Sequence, residues 1–186
     1  MRGLTNFISE IRVCENKEQE HRRVDKELAK IRTKFTNPAK MQGYDRRKYV
    51  SKLVYIYMLG YELDFGHMEA INLMSSVKFS EKQMGYMAVS VLLDEDSDMI
   101  RLLVNSVHHD LQSNNETWQC LALNLVANLG SKEMAETIAP EMQRLLLASN
   151  AHLVVRRKAA LGMLRLYRRF PDILPASEWR GRMAEL

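Results

Sequence analysis

Residues 53–60 read Leu-Val-Tyr-Ile-Tyr-Met-Leu-Gly, and residues 123–130 read Leu-Asn-Leu-Val-Ala-Asn-Leu-Gly. Both apolar runs end on a Leu-Gly pair, and the two glycines lie 70 residues apart. Halved, this period is about 35 residues, the length of one helical hairpin in repeat proteins. Working outward, the same helical spacing governs nearly the whole chain. Leu4, Phe7, Ile8 and Ile11 fall on one face of a first helix, at the i, i+3, i+4, i+7 spacing of an amphipathic turn. Val24, Leu28, Ile31 and Phe35 form a narrow stripe on a second, heavily charged helix that Asn37-Pro38 should close. A third helix is expected from Asp45 to Gly60, with Tyr49, Val50, Leu53, Val54, Ile56 and Tyr57 inward. A fourth covers about 66–77, and a fifth should open with a capping box at Ser80-Glu81-Lys82-Gln83. Helices follow over about 97–111, 116–129 with Gly130 as its stop, and from Ser131, where Pro140 should break the run. A ninth spans 153–170, and a short last one begins near Ala176. No strand pattern competes. The expected fold is all-α, a right-handed alpha-solenoid of stacked antiparallel hairpins, with residues 1–186 as one segment. Apolar residues persist to Leu186 without a polar cap, so this reads as the opening piece of a longer chain.

The chain has 186 residues, 46% hydrophobic and 27% charged, with 8 Gly and 4 Pro. Collagen-like, disordered and membrane-spanning classes are excluded by that balance. No secretory leader opens the chain, so Cys14 and Cys120 are expected to be reduced in the cytoplasm. The net charge of +4 is unevenly spread. Residues 1–60 carry 14 Lys/Arg against 7 Asp/Glu, 61–150 carry 5 against 13, and 151–186 carry 8 against 3. A basic opening points to an anionic partner.

Catalytic signatures are missing. His108 and His109 are adjacent and point about 100° apart on a helix, so they cannot share a metal. His67-Met68-Glu69 resembles part of a zinc-deaminase motif, but no Pro-Cys-x-x-Cys follows. Asp94-Glu95-Asp96 and Asp98 lack calcium-loop spacing and read as acids preceding a helix. Neither a phosphate loop nor a nucleophile elbow is present, so no enzyme, metal or cofactor is expected.

One segment departs from helix logic. With Asp45 as N-cap, Arg46, Arg47 and Lys48 would occupy a first turn, where each cation opposes the dipole by ~0.3–1 kcal/mol. A bound anion would reverse that cost, because free N–H groups and basic side chains together hold phosphate. Lys48 and Lys52, at i and i+4, would then form a solvent-facing pad with Arg47 at its margin and Tyr49 at the core boundary. The residues by themselves admit a solvated basic face as well. Nucleic acid fits worse, since exposed aromatics and groove-reading motifs are missing.

Several blocks resemble the alpha-adaptins, the large subunit of the plasma-membrane clathrin adaptor. They are Met1-Arg2-Gly3-Leu4, 7–12 (Phe-Ile-Ser-Glu-Ile-Arg), 26–32 (Lys-Glu-Leu-Ala-Lys-Ile-Arg), 48–53 (Lys-Tyr-Val-Ser-Lys-Leu) and 64–70 (Asp-Phe-Gly-His-Met-Glu-Ala). Similarity continues through 81–86, 121–123 and 130–135, collinear over the chain. The Golgi gamma-adaptins share the middle blocks and fit the opening less well. The resemblance implies a HEAT/armadillo-like trunk and a place in clathrin-mediated endocytosis, peripheral on the cytoplasmic face of the plasma membrane at coated pits. It implies binding of phosphatidylinositol 4,5-bisphosphate by Arg2, Lys34, Arg46, Arg47, Lys48, Tyr49 and Lys52. It further implies docking of the small sigma subunit, assembly with beta and mu subunits, and contact of Arg12 with acidic dileucine cargo. Periodicity by itself leaves Arg12 as a solvated helix residue. Arg46-Arg47 replace lysines of the family pattern, exchanging point charges for planar forks. The short segment that precedes Met1 in the family is missing, so a free amino terminus is expected beside Arg2. Two other readings stand beside this one: a gamma-type adaptin, and a soluble repeat scaffold that binds peptides without lipid. The adaptor reading requires Arg2, Lys34, Lys48 and Lys52 to converge on one exposed patch.

Overall fold

The apolar stripes become helices close to where their spacing places them. The computed structural model describes residues 1–37, 41–174 and 181. Among the described residues it is all-helical, in keeping with an alpha-solenoid, and it divides into two compact units, Met1–Leu92 and Leu93–Leu186. The first unit holds α1 (Arg2–Arg12), α2 (Lys17–Phe35), α3 (Gly43–Met58), α4 (His67–Met74) and α5 (Phe79–Leu92). The second holds α6 (Ile100–Gln112), α7 (Glu116–Leu129), α8 (Lys132–Leu147) and α9 (Leu153–Arg169).

Side chains fix several starts. Asn16 accepts from the Gln19 amide at 2.9 Å, Asn115 from those of Thr117 and Trp118, and Ser131 from that of Met134. Each such cap is worth about 1 kcal/mol. Gly60 and Gly130, the ends of the two related runs, both adopt positive φ (94° and 36°). A Cβ is strained in that conformation, so the shared Leu-Gly marks the same helix stop, four helices apart.

In the first unit α3 is central: it packs on α1, α2, α4 and α5. Residues 49–54 are buried without interruption, Ser51 and Lys52 included. That is the pattern of a helix enclosed on several sides rather than one with a single apolar stripe. Tyr57, expected inward, is instead exposed. Phe7, Ile11, Val24, Ile31, Tyr49, Leu53 and Ile56 form the core shared by α1, α2 and α3. In the second unit α6 packs on α7 and α8 on α9, while α6 meets α8 and α7 meets α9. Contacts between helices two apart are what stacking of hairpins produces.

Four expectations are corrected. α3 begins at Gly43 with Gln42 as N-cap, so Asp45 lies inside its first turn. α5 begins at Phe79, so Ser80 is a helical residue and not a cap, and Glu81 accepts from the Ser76 hydroxyl at 2.7 Å instead. α6 starts at Ile100, three residues later than expected. Pro140 does not break α8, which runs through it. Pro140 sits on the exposed face, where water satisfies the carbonyl its missing N–H leaves free and a gentle bend is tolerated. The helix expected near Ala176 lies outside the described residues.

The loop after α3 is tied back to α2. Tyr61 Oη donates to Glu20 Oε1 at 2.9 Å, and its ring stacks on His21 at 5.5 Å. Burial and the bond to Glu20 push the Tyr61 phenol up to about 12. A phenol raised above its unfolded pKa of ~10 stabilises the fold below that pH. The contribution is lost as pH rises from about 10 through about 12. Tyrosinate absorbance should therefore show one phenol titrating near pH 12, and Tyr61→Phe should remove it.

Candidate phosphate site

The basic opening of α3 does not form one pad; its cations diverge. Because α3 starts at Gly43, Arg46, Arg47 and Lys48 lie beyond the first three residues, and the dipole opposes them less than the sequence implied. Arg46 turns to α4 and bonds Glu69 through Nε at 2.6 Å, both side chains largely buried. This ion pair accounts for the glutamate of the His67-Met68-Glu69 motif. Arg47 is half-buried, and its Nε is enclosed with no hydrogen-bond partner among the described residues. Lys48 Nζ bonds Asp45 at 2.5 Å, lies 4.5 Å from the centre of the Tyr49 ring and 5.9 Å from that of Tyr44. Burial works against its charge, but the bonds to Asp45 and the interaction with Tyr49 prevail and hold the ammonium above its ordinary pKa.

Lys52 departs most from expectation. It is 4% exposed, not part of a solvent-facing pad. Its Nζ bonds Glu27 of α2, and lies 5.4 Å from the centre of the Phe7 ring on α1. Arg23 completes the cluster: it donates to Glu27 at 2.9 Å and to Glu10 at 2.6 Å, and lies over the same Phe7 ring at 4.7 Å. The buried Glu27 carboxylate thus joins α2 to α3, and Arg23 carries the link on to Glu10 of α1. Helical projection carried a signal for this that the sequence reading missed. Glu27 falls on the Val24–Leu28–Ile31 stripe, so it had to be buried and needed a cation.

What does converge is smaller. Lys34, exposed in the last turn of α2, lines a hollow of about 400 Å³ with Thr33, Asn37, Met41, Asp45 and Tyr49. Tyr49 is held there edge-on to Phe35, ring centres 6.3 Å apart. The first turn of α1 lies against the same place. A Cβ on Gly3 would stand 3.4 Å from Lys48 Cδ, next to the exposed Arg2. Lys34 and Tyr49 thus line the hollow, and Lys48, seated on the Tyr49 ring and next to Gly3 of α1, extends the same surface. Asp45, which sequence reading had used only as a cap, is the internal counter-ion of that surface. A lysine on a partly apolar wall can hold a phosphate group by charge and hydrogen bonds, and among the described residues the hollow is lined by no histidine or cysteine.

Elsewhere, Arg12 is exposed in the last turn of α1 beside the exposed Val13, and forms no ion pair among the described residues. The acidic run after α5 is matched by cations: Glu95 bonds Arg169, and a polar cavity of about 320 Å³ there is also lined by Arg101 and Lys132. Among the described residues no three His, Cys, Asp or Glu are grouped to hold a metal, and no helix is long and apolar enough to cross a membrane.

Helices paired into stacked hairpins define a helical-repeat protein, whose first unit bears a hollow lined by Lys34, Asp45 and Tyr49. Residues 20–183 match the model of the adaptin N terminal region, and the chain belongs to the adaptin family. Over its full length it is 52% identical to AP-2 complex subunit alpha-1 of Arabidopsis thaliana and 48% identical to AP-2 complex subunit alpha-2 of Dictyostelium discoideum. AP-1 complex subunit gamma-like 2 of Mus musculus is 38% identical over 91% of the chain. The chain spans about a fifth of the length of these relatives (18%, 19% and 21%).

Proposed function

We propose that the chain is the amino-terminal part of an alpha-type adaptin trunk that binds phosphatidylinositol 4,5-bisphosphate in clathrin-mediated endocytosis. The observation that carries this is the hollow between α2 and α3 lined by Lys34 and Tyr49, with Lys48 seated on the Tyr49 ring and Gly3, next to Arg2 in the first turn of α1, beside Lys48. Arg47, half-buried and with its Nε enclosed, is assigned to the site by family resemblance alone. Arg46 and Lys52, also implied by family resemblance, stand committed to Glu69 and Glu27 and act by holding α3 in place. Greater identity to alpha than to gamma subunits supports the plasma-membrane type. The peripheral cytoplasmic location follows from that type, as do assembly with sigma, beta and mu subunits and a non-enzymatic role. The exposed Arg12, without an ion pair among the described residues, suits contact with acidic dileucine cargo beside a docked sigma subunit.

The test is vesicle co-sedimentation of the full chain, comparing the bisphosphate with phosphatidylserine at matched surface charge. Wild type should prefer the bisphosphate. Lys34→Gln with Lys48→Gln should weaken that binding by about 25-fold, at ~1 kcal/mol per cation. Asp45→Asn should strengthen it, because Lys48 loses its internal competitor. Equal sedimentation on both lipids by wild type would reject the reading.

A further inference from the structure

The exposed side of α2 carries a second cationic feature that the headgroup site does not use. Lys26, Lys30 and Lys34 follow one another at i, i+4 and i+8, all exposed. This spacing puts them on one face, in a row about 12 Å long. Oppositely charged residues three or four positions away would ordinarily pair with such lysines. Here Lys26 has Arg22, Arg23, Ala29 and Lys30 at those positions, and Lys30 has Lys26, Glu27, Thr33 and Lys34. Lys34 has Lys30 and Ile31 before it and Asn37 after it. The one acid in that set, Glu27, is buried and taken by Lys52 and Arg23. Nearby acids are engaged as well: Asp25 with His21, Glu18 with Arg22, and Asp64 with Arg32. None of the three lysines has an ion pair among the described residues, so like charges repel along the row without compensation.

We infer that this lysine row is a second membrane contact, lying on the diffuse charge of a phosphatidylserine-bearing bilayer beside the headgroup held at the hollow. Placement of the hollow rests on the proposed function above; the row's affinity for anionic lipid does not. Three features select a bilayer as occupant. The row runs into Lys34, which also lines the hollow, so both face the same anionic plane. Its groups are lysines, point charges on flexible stems that suit a laterally mobile lipid lattice better than fixed bidentate recognition. α2 contains no Tyr or Trp, and its one Phe, Phe35, packs on the core, so a single-stranded nucleic acid finds no stacking platform. Each lysine near an anionic surface raises partition about five-fold, and a second contact multiplies the first because the two are tethered.

The experiment measures partition of the full chain onto phosphatidylcholine vesicles carrying either phosphatidylserine or the bisphosphate. Wild type is compared with Lys26→Gln/Lys30→Gln and, separately, with Lys48→Gln, each checked for helical content. Expected is a loss of about 25-fold on phosphatidylserine vesicles for the first variant, with its preference for the bisphosphate at matched charge retained. Lys48→Gln should lose that preference and keep most of its phosphatidylserine binding. If wild type shows no bisphosphate preference but Lys26 and Lys30 still govern phosphatidylserine binding, the headgroup reading fails and this inference stands. Unchanged phosphatidylserine binding in Lys26→Gln/Lys30→Gln overturns it. So does a dependence on these two lysines that is seen only with single-stranded RNA or a polyglutamate peptide in place of vesicles.

Discussion

Lys52→Met should destabilise the first unit by about 3–5 kcal/mol, the usual cost of stranding one member of a buried ion pair. Total stabilities run ~5–15 kcal/mol, so a loss of this size should be plain in denaturant unfolding. Glu27 would keep Arg23 but lose the ammonium that reaches it from α3. Lys52→Glu should be worse, since it sets two carboxylates together away from water. Lys48→Glu, on a partly exposed side chain bonded to Asp45, should cost only ~1 kcal/mol. Adding Glu27→Leu to Lys52→Met should restore much of the loss, because an apolar pair of similar volume often replaces a buried ion pair without penalty. A cost below about 1 kcal/mol for Lys52→Met would show that the pair is solvated.

The same cluster sets an acid limit. Burial opposes the charged form of Glu27, yet the bonds from Lys52 and Arg23 prevail and hold its carboxyl below the ordinary glutamate pKa. A depressed carboxyl contributes stability above its unfolded pKa of ~4.3, and the contribution is lost as pH falls through the lower folded value. Lys52→Met should flatten that acid limb. For a test of the proposed lipid binding the consequence is practical: charge reversal at Lys52 would act through unfolding, whereas Lys34 and Lys48 report on the surface itself.

Gly85→Ala should be the second large effect, at about 2 kcal/mol. Its methyl would lie 2.5 Å from the Met74 amide nitrogen, 2.8 Å from the Leu73 carbonyl carbon and 2.9 Å from the Ala70 carbonyl oxygen. All three are backbone atoms of α4 or its C-terminal end, so the two helices must separate. Overpacking of this kind costs ~1–3 kcal/mol and exceeds the gain of up to about 1 kcal/mol from alanine's helix propensity. Gly162→Ala is the control. There the nearest obstacle is the terminal methyl of Met142, a flexible side chain that can move aside. That variant should be neutral to about 1 kcal/mol stabilising, so opposite signs at two helical glycines are the expected outcome of thermal or denaturant unfolding. Destabilisation of similar size at both would refute this account of Gly85.

Helix positions were legible because apolar spacing is local. The expected bounds of the helix at 116–129 match α7, where Asn115 and Gly130 supply both signals within one residue of the ends. Starts were less legible where the cap is weak. Gln42 makes no side-chain cap bond, and the expected start, Asp45, has the better capping chemistry. The i, i+3 spacing of Asp45 and Lys48 is itself a local signal for the ion pair that Asp45 makes in place of a cap. Pro140 was read as a break because periodicity does not report how exposed the far side of a packed helix is.

Family membership, helical class and the basic character of the amino-terminal end were written in the sequence, because helix periodicity, collinear motifs and net charge are additive along a chain. Which lysines face solvent was not. Lys48 and Lys52 are one helical turn apart and identical in type, yet one is partly exposed over Tyr49 and the other is sealed under α1 and α2. That choice depends on where Glu27 and Phe7, 25 and 45 residues away in the chain, come to rest. Only tertiary packing decides it, since a buried ion pair is satisfied by partners brought together in space and not by neighbours in sequence.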